Sequence, residues 1–123
     1  MNVKINQLDD RAINPILDGK NTLEFTCISK KTTYKYIEYG TGISVNIPKG
    51  YAGFLFPMDS VNDKDLILKN NIGIIYPESK DEIIVKFKST DENIPNTYSI
   101  GDKIARLIIM PLAHFDYIFC KNI

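Results

Sequence analysis

The sequence has no tryptophan, one histidine (His114) and only two cysteines, Cys27 and Cys120. The two thiols stand far apart with no second Cys or His beside either, which excludes a zinc cluster and a CxxC redox pair; both are expected to be reduced and packed as small apolar side chains. His114 has no Ser, Cys or carboxylate at a motif distance, so a catalytic triad is unsupported and a core or interface position is expected. Net charge is also missing. Lys plus Arg number 15 and Asp plus Glu 15, giving a formal net charge of zero, so no global field draws the protein to nucleic acid or an anionic membrane, and any anion site must be local. No apolar run approaches the ~20 residues that span a bilayer, and the opening MNVKINQLDD lacks the apolar centre of a signal peptide. The expectation is a cytoplasmic protein with neither membrane nor nucleic acid as partner.

What the chain does have is Ile, Val, Tyr, Phe and Thr in patterned stretches, side chains that suit a pleated, half-buried surface better than a helix. Its 123 residues suffice for one domain, 1–123, with a core of its own. Strands are predicted at Val3 to Leu8, Thr22 to Ser29, Gly42 to Ile47, Gly53 to Phe56, Asp65 to Leu68, Gly73 to Ile75, Glu82 to Lys88, Lys103 to Met110 and His114 to Phe119. Turn signals separate them at Asp18-Gly19, Pro48-Lys49-Gly50, Asn70-Asn71, Pro77-Glu78-Ser79 and Ile100-Gly101-Asp102. Many short strands with frequent turns make an all-β sandwich or barrel. The polar stretch Ser89 to Tyr98 reads as a solvated loop, and Tyr34, Tyr36 and Tyr39 beside Lys30-Lys31 read as one strand with an aromatic face rather than a nucleic-acid platform.

Four segments resemble the dUTPase family in order and approximate spacing: VKINQLDDRAINPILDGKNTLEF (3–25), IPKGYAGFLFPMDSV (47–61), NIGIIYPESKDEIIVKF (71–87) and GDKIARLIIMP (101–111). The last is similar to that family's G-D-R-I-A-Q-L pattern. The framework glycines Gly50, Gly53, Gly73 and Gly101 also read as turn or close-approach residues on physical grounds alone. The resemblance implies a dUTPase-like distorted β-barrel or jelly roll, and a homotrimer with C-terminal strand exchange, since HFDYIFCKNI carries aromatics that a neighbouring subunit could receive.

The chemistry-bearing positions depart from the family's pattern. Glu24 stands for a metal-associated aspartate and keeps an oxygen ligand for Mg²⁺ on a longer arm. Met58 and Asp59 replace the Arg-Ser of P-R-S, exchanging a cation and a hydroxyl donor for an apolar group and a carboxylate; Ser60 substitutes only if the register slips by one. Tyr76 stands where the family has its general-base aspartate, and a phenol is a poor base at neutral pH. In the same hairpin Ser79, Lys80 and Asp81 replace tyrosine, arginine and glycine, and Glu78 alone keeps a carboxylate. Arg106 replaces a glutamine and offers a cation to phosphate or to a neighbouring carboxylate. The sequence ends at Ile123 with no glycine-rich fifth motif to close over a nucleotide.

From these departures the expected function is a noncatalytic dUTPase-like trimeric binding or structural module without cofactor, of the kind phages and mobile elements encode as a virion component or as an inhibitor of a host protein. Two alternatives stand beside it. One is a dUTP diphosphatase or related nucleotide pyrophosphatase using Glu24, Glu78 and Arg106 in a rearranged site with Mg²⁺. The other is a nucleotide-binding sensor or sponge.

Overall fold

The computed structural model describes residues 1–19, 21–69, 73–93 and 95–121. Eleven strands follow one another in the described chain: β1 (Lys4–Gln7), β2 (Ile16–Asp18), β3 (Thr22–Thr26), β4 (Ser29–Thr32), β5 (Ile37–Gly40), β6 (Ile43–Asn46), β7 (Tyr51–Pro57), β8 (Leu66–Leu68), β9 (Gly73–Ile75), β10 (Ile84–Ser89) and β11 (Lys103–Pro111), with one short 3₁₀ turn at Asp59–Asp63. They form three antiparallel sheets in the orders β1-β6, β4-β5-β10-β8 and β2-β3-β11-β7-β9. The all-β class is as expected.

The core forms where the inward faces of the two larger sheets meet. Alternate residues point inward along each strand: Phe25 on β3, Leu55 on β7 and Ala105 and Leu107 on β11 from one sheet, Ile37, Tyr39, Val85 and Phe87 from the other. At its centre Tyr39, Phe87 and Tyr98 make a three-ring cluster with centroids 5.8–6.1 Å apart. Tyr39 Oη donates to the Tyr98 carbonyl at 2.9 Å, and the Tyr98 and Ser60 hydroxyls lie 2.7 Å apart, so these buried phenols keep hydrogen-bond partners. Two framework glycines show two different needs. Gly50 has φ +87, open to glycine alone without strain, and Gly53 lies where a Cβ would come within 2.9 Å of Leu107 Cδ1.

Several predicted elements need correction. Thr22 to Ser29 is not one strand: the chain turns at Cys27-Ile28, and β4 begins a new hairpin with β5 in the other sheet. The tyrosine alternation is not one strand either, because Tyr34 and Tyr36 lie in the β4–β5 turn and only Tyr39 is in a strand core. Tyr98, assigned to a solvated loop, is buried. His114 to Phe119 forms no strand within the subunit, and His114 and Cys120 are exposed there, which removes the core position for both and leaves the interface position for His114. The Asn70-Asn71 turn lies outside the described residues.

Burial pushes the Tyr98 and Tyr39 phenols and the Cys27 thiol above their ordinary values. A folded-state pKa raised above the unfolded one means the native state holds its proton longer. The associated stability is fully present below the unfolded pKa and is lost as pH rises through the folded pKa. The urea midpoint should therefore hold between pH 7 and 8 and fall above about pH 9–10, where thiols and phenols of the unfolded chain ionise. Tyr98→Phe should flatten that alkaline slope at a cost of about 1 kcal/mol at neutral pH from the Ser60 hydrogen bond; an unchanged slope in the variant would assign the effect elsewhere.

Candidate functional site

The outer face of the five-stranded sheet carries the residues singled out in the first and fourth segments. Leu23 and Phe25 turn toward the core, so Glu24 between them faces out. Register aligns Ile16 with Glu24, Glu24 with Arg106 and Arg106 with Phe56. Directly paired residues share a face, and these four therefore form one row across four strands. The irregularity between Lys103 and Ala105 shifts Lys103 relative to that row, and its ammonium reaches Glu24 Oε1 at 2.8 Å. Arg106 Nη2 meets Asp59 Oδ1 at 2.9 Å, with Asp59 opening the 3₁₀ turn that follows β7. Two cations and two carboxylates thus sit side by side on one surface.

The two pairs differ in exposure. The Glu24 side chain is 13% exposed, while that of Asp59 is 85% exposed. A pair as open as Arg106–Asp59 is worth about 0–1 kcal/mol, so another anion can displace Asp59 at little cost. Glu24 Oε2 has no hydrogen-bond donor among the described residues, leaving that oxygen available to a hard cation.

The other predicted positions lie apart from this row. Met58 is half-buried at the start of the turn. Ser60 is engaged with Tyr98 Oη, away from any phosphate-donor role. Tyr76, exposed, follows β9, whose Ile75 pairs with Gly53, and Gly53 lies three residues along β7 from Phe56, about 10 Å. Within one subunit Tyr76 therefore does not join Glu24 and Arg106. The segment expected as a hairpin is instead a crossover between sheets, since β9 pairs with β7 and β10 with β5 and β8. The Ser79 amide donates to the Tyr76 carbonyl at 3.1 Å, closing a turn in that connection, and Glu78 and Lys80 are exposed with no ion partner among the described residues.

Sequence reasoning missed two features. Lys103 was read only as part of a motif, and its reach to Glu24 depends on the bulge. A cavity of about 560 Å³ opens between β9 and β10, which lie in different sheets, lined by Leu55, Leu68, Gly73, Asp81, Glu82 and Ile84 among others. Glu82 Oε2 at its rim accepts the Gly42 amide at 3.1 Å. Among the described residues no cluster of three His, Cys, Asp or Glu is placed to hold a metal by itself, and no helix is long and apolar enough to cross a membrane.

Comparison with known proteins bears on how this surface is read. The family profile described as dUTPase matches residues 23–123. Proteins named deoxyuridine 5'-triphosphate nucleotidohydrolase are similar over part of the chain: that of Tropheryma whipplei (strain Twist) is 38% identical over 79 residues, 63% of this chain and 54% of the relative, and that of Leifsonia xyli subsp. xyli is 37% identical over 73 residues, 58% of this chain and 48% of the relative. The chain spans about half the length of these curated relatives. Among solved structures, a point mutant of the dUTPase from phage phi11 of S. aureus superposes with a TM-score of 0.78 at 16% identity, over 99% of this chain and 98% of that one. The dUTPase of Staphylococcus bacteriophage 80alpha with dUpNHpp gives 0.77 at 16% identity, over 99% and 89%. The relatives named as nucleotidohydrolases overturn the expectation of a noncatalytic module, which treated each departure from a motif as a loss and took no account of charges that register restores. With the profile covering most of its length, the chain belongs to the dUTPase family.

Proposed function

We propose that the protein hydrolyses a deoxynucleoside triphosphate of the dUTP type to the monophosphate and pyrophosphate, with Mg²⁺ on the triphosphate, as a homotrimer. The observation that carries this reading is the pair of ion pairs Lys103–Glu24 and Arg106–Asp59 on one face, at positions matching the family's first, second and fourth motifs. Family membership and the relatives' name support it.

Arg106, in exchanging Asp59 for a phosphate oxygen, keeps an anion on its guanidinium throughout and binds it with a planar fork of donors. Lys103 adds a second cation beside it. Glu24, held by Lys103 through one oxygen, is the residue that would hold the metal, which would supply neutralising charge for the phosphates. The cavity between β9 and β10 is lined in part by the segment matching the family's third motif, and it is offered as the nucleoside end of the site. Tyr76, just after β9, supplies a hydroxyl that can both donate to and accept from a bound water. The distance between Tyr76 and the Glu24–Arg106 row within one subunit is accommodated if two subunits contribute to each site.

Purified protein given dUTP and magnesium should release pyrophosphate rather than orthophosphate, and chelation should stop it. Glu24→Gln should raise the magnesium needed for half-maximal rate by at least about 10–100-fold, the loss seen when a group that merely supports a metal ligand is removed. No pyrophosphate above buffer from any deoxynucleoside triphosphate would refute the proposal.

A further inference from the structure

A second cavity, of about 720 Å³, opens at the far end of the four-stranded sheet around the β4–β5 turn. The turn is tied by Thr33: its amide donates to the Tyr36 carbonyl at 2.9 Å, and its Oγ1 accepts from the Tyr36 amide at 3.1 Å. That fixed geometry leaves Tyr34 92% exposed, with the Lys35 ammonium 5.5 Å from its ring centroid. Tyr36 lies beside it under two ammonium groups, Lys69 at 4.5 Å and Lys86 at 4.9 Å. Lys88, from the end of β10, also lines the cavity.

An exposed tyrosine at a hairpin tip is ordinarily just a wet side chain. Two features here go beyond that. A hairpin tip is built more simply from Asn and Gly than from a large ring. More tellingly, two like charges converge on the single ring of Tyr36. Lys86 has Glu38 3.9 Å away, whereas Lys35, Lys69 and Lys88 have no ion partner among the described residues. A bridging anion would relieve that repulsion. The carboxylates at this cavity are Asp91 and Glu92; Asp91 Oδ1 is engaged with the Asn93 amide at 2.9 Å, and Glu92 is exposed.

We propose that this cavity is a second ligand site, taking single-stranded nucleic acid with a base stacked on Tyr34 and the phosphate chain passing Lys69 and Lys88. The lysines come from three separate segments as point charges, which suits a chain of phosphates better than the convergent cradle a single triphosphate needs. Stacking on tyrosine tolerates any base. The expectation of no nucleic-acid partner rested on zero net charge, which describes the long-range field and not a local patch. This site is separate from the Glu24–Arg106 face and does not depend on the proposed hydrolysis.

The test is fluorescence anisotropy of the full chain with a labelled twelve-residue oligothymidylate, at several salt concentrations. Binding should weaken steeply with salt. Tyr34→Ala should weaken it about tenfold, and Lys69→Ala should lower the salt slope by about one unit, while both variants keep wild-type pyrophosphate release. Arg106→Ala should bind the oligonucleotide as the wild type does. The proposal is overturned if no salt-dependent binding occurs, if Tyr34→Ala binds unchanged, if dTMP or dTTP competes as well per molecule as the twelve-mer, or if Arg106→Ala abolishes binding and so assigns it to the other face.

Discussion

Arg106→Ala should lower turnover of the triphosphate by about 10²–10³-fold, the effect of removing one preorganised donor aimed at developing charge. Arg106 is half-buried on β11, held between Glu24 on β3 and Phe56 on β7 by register, so its guanidinium is positioned before substrate arrives. Its only ion partner among the described residues is the exposed Asp59. That makes a contrasting variant informative. Asp59→Ser removes the competing carboxylate and restores a hydroxyl donor, and it should lower KM while leaving Arg106 in place. Steady-state kinetics of the two variants at saturating magnesium separate the roles: a fall in kcat for the first, a fall in KM for the second. If Asp59→Ser raised KM, Asp59 would be a ligand for the substrate's metal rather than a stand-in for its phosphate.

How far the sequence revealed this site depended on which physical signal each residue carries. GDKIARLIIMP is legible because it combines a positive-φ glycine, a turn and an alternating strand, and β11 indeed runs Lys103–Pro111. The expected bounds of β7 to β10 also lie within a few residues of the observed ones. β4 and β5 were not legible. Ser29–Thr32 is exposed throughout and shows no apolar alternation, since it pairs on one edge only and buries neither face. Tyr98 was assigned to solvent because polar neighbours outvoted it; its burial arises from two rings, Tyr39 and Phe87, one of them far away in sequence. The individual charges Glu24, Asp59 and Arg106 were all picked out, but their pairing was not, because the partners are separated by 47 residues for Arg106–Asp59 and 79 for Lys103–Glu24. The fold brings them together: the irregularity in the β3–β11 pairing sets Lys103 by Glu24, and the 3₁₀ turn after β7 sets Asp59 by Arg106. A motif read residue by residue therefore counts Asp59 as a carboxylate in place of a hydroxyl donor, when the fold supplies it with a cation.

Removing residues after Leu112 should abolish assembly and, with it, hydrolysis. The Leu112 amide still donates to the Gly50 carbonyl at 2.8 Å; over residues 113–121 the chain forms no strand, with Phe115, Tyr117 and Phe119 exposed by 79%, 72% and 88%. Tyr117 and Phe119, two apart, stack edge to face at 5.3 Å, and paired as a strand on a neighbour the arm would turn all three rings to one side. Burying each ring against another subunit is worth roughly 1.5–3 kcal/mol, and a closed ring of three copies gains this at three interfaces at once. The outer face of the five-stranded sheet offers apolar ground to receive a neighbour: Phe54 and Ile108 pair on it, with Ile74 beside Phe54. Light scattering of the full chain should give three times the 14.0 kDa chain mass, and the truncated chain a monomer or aggregates. Truncation alone can confuse lost assembly with lost folding. Replacing Phe115, Tyr117 and Phe119 together by serine avoids this, because none of the three contributes to the core of its own subunit; that variant should remain folded, sediment as a monomer and release no pyrophosphate. A full-length chain at 14.0 kDa that still hydrolysed dUTP would place the whole site within one subunit and leave the separation of Tyr76 from the Glu24–Arg106 row without an explanation.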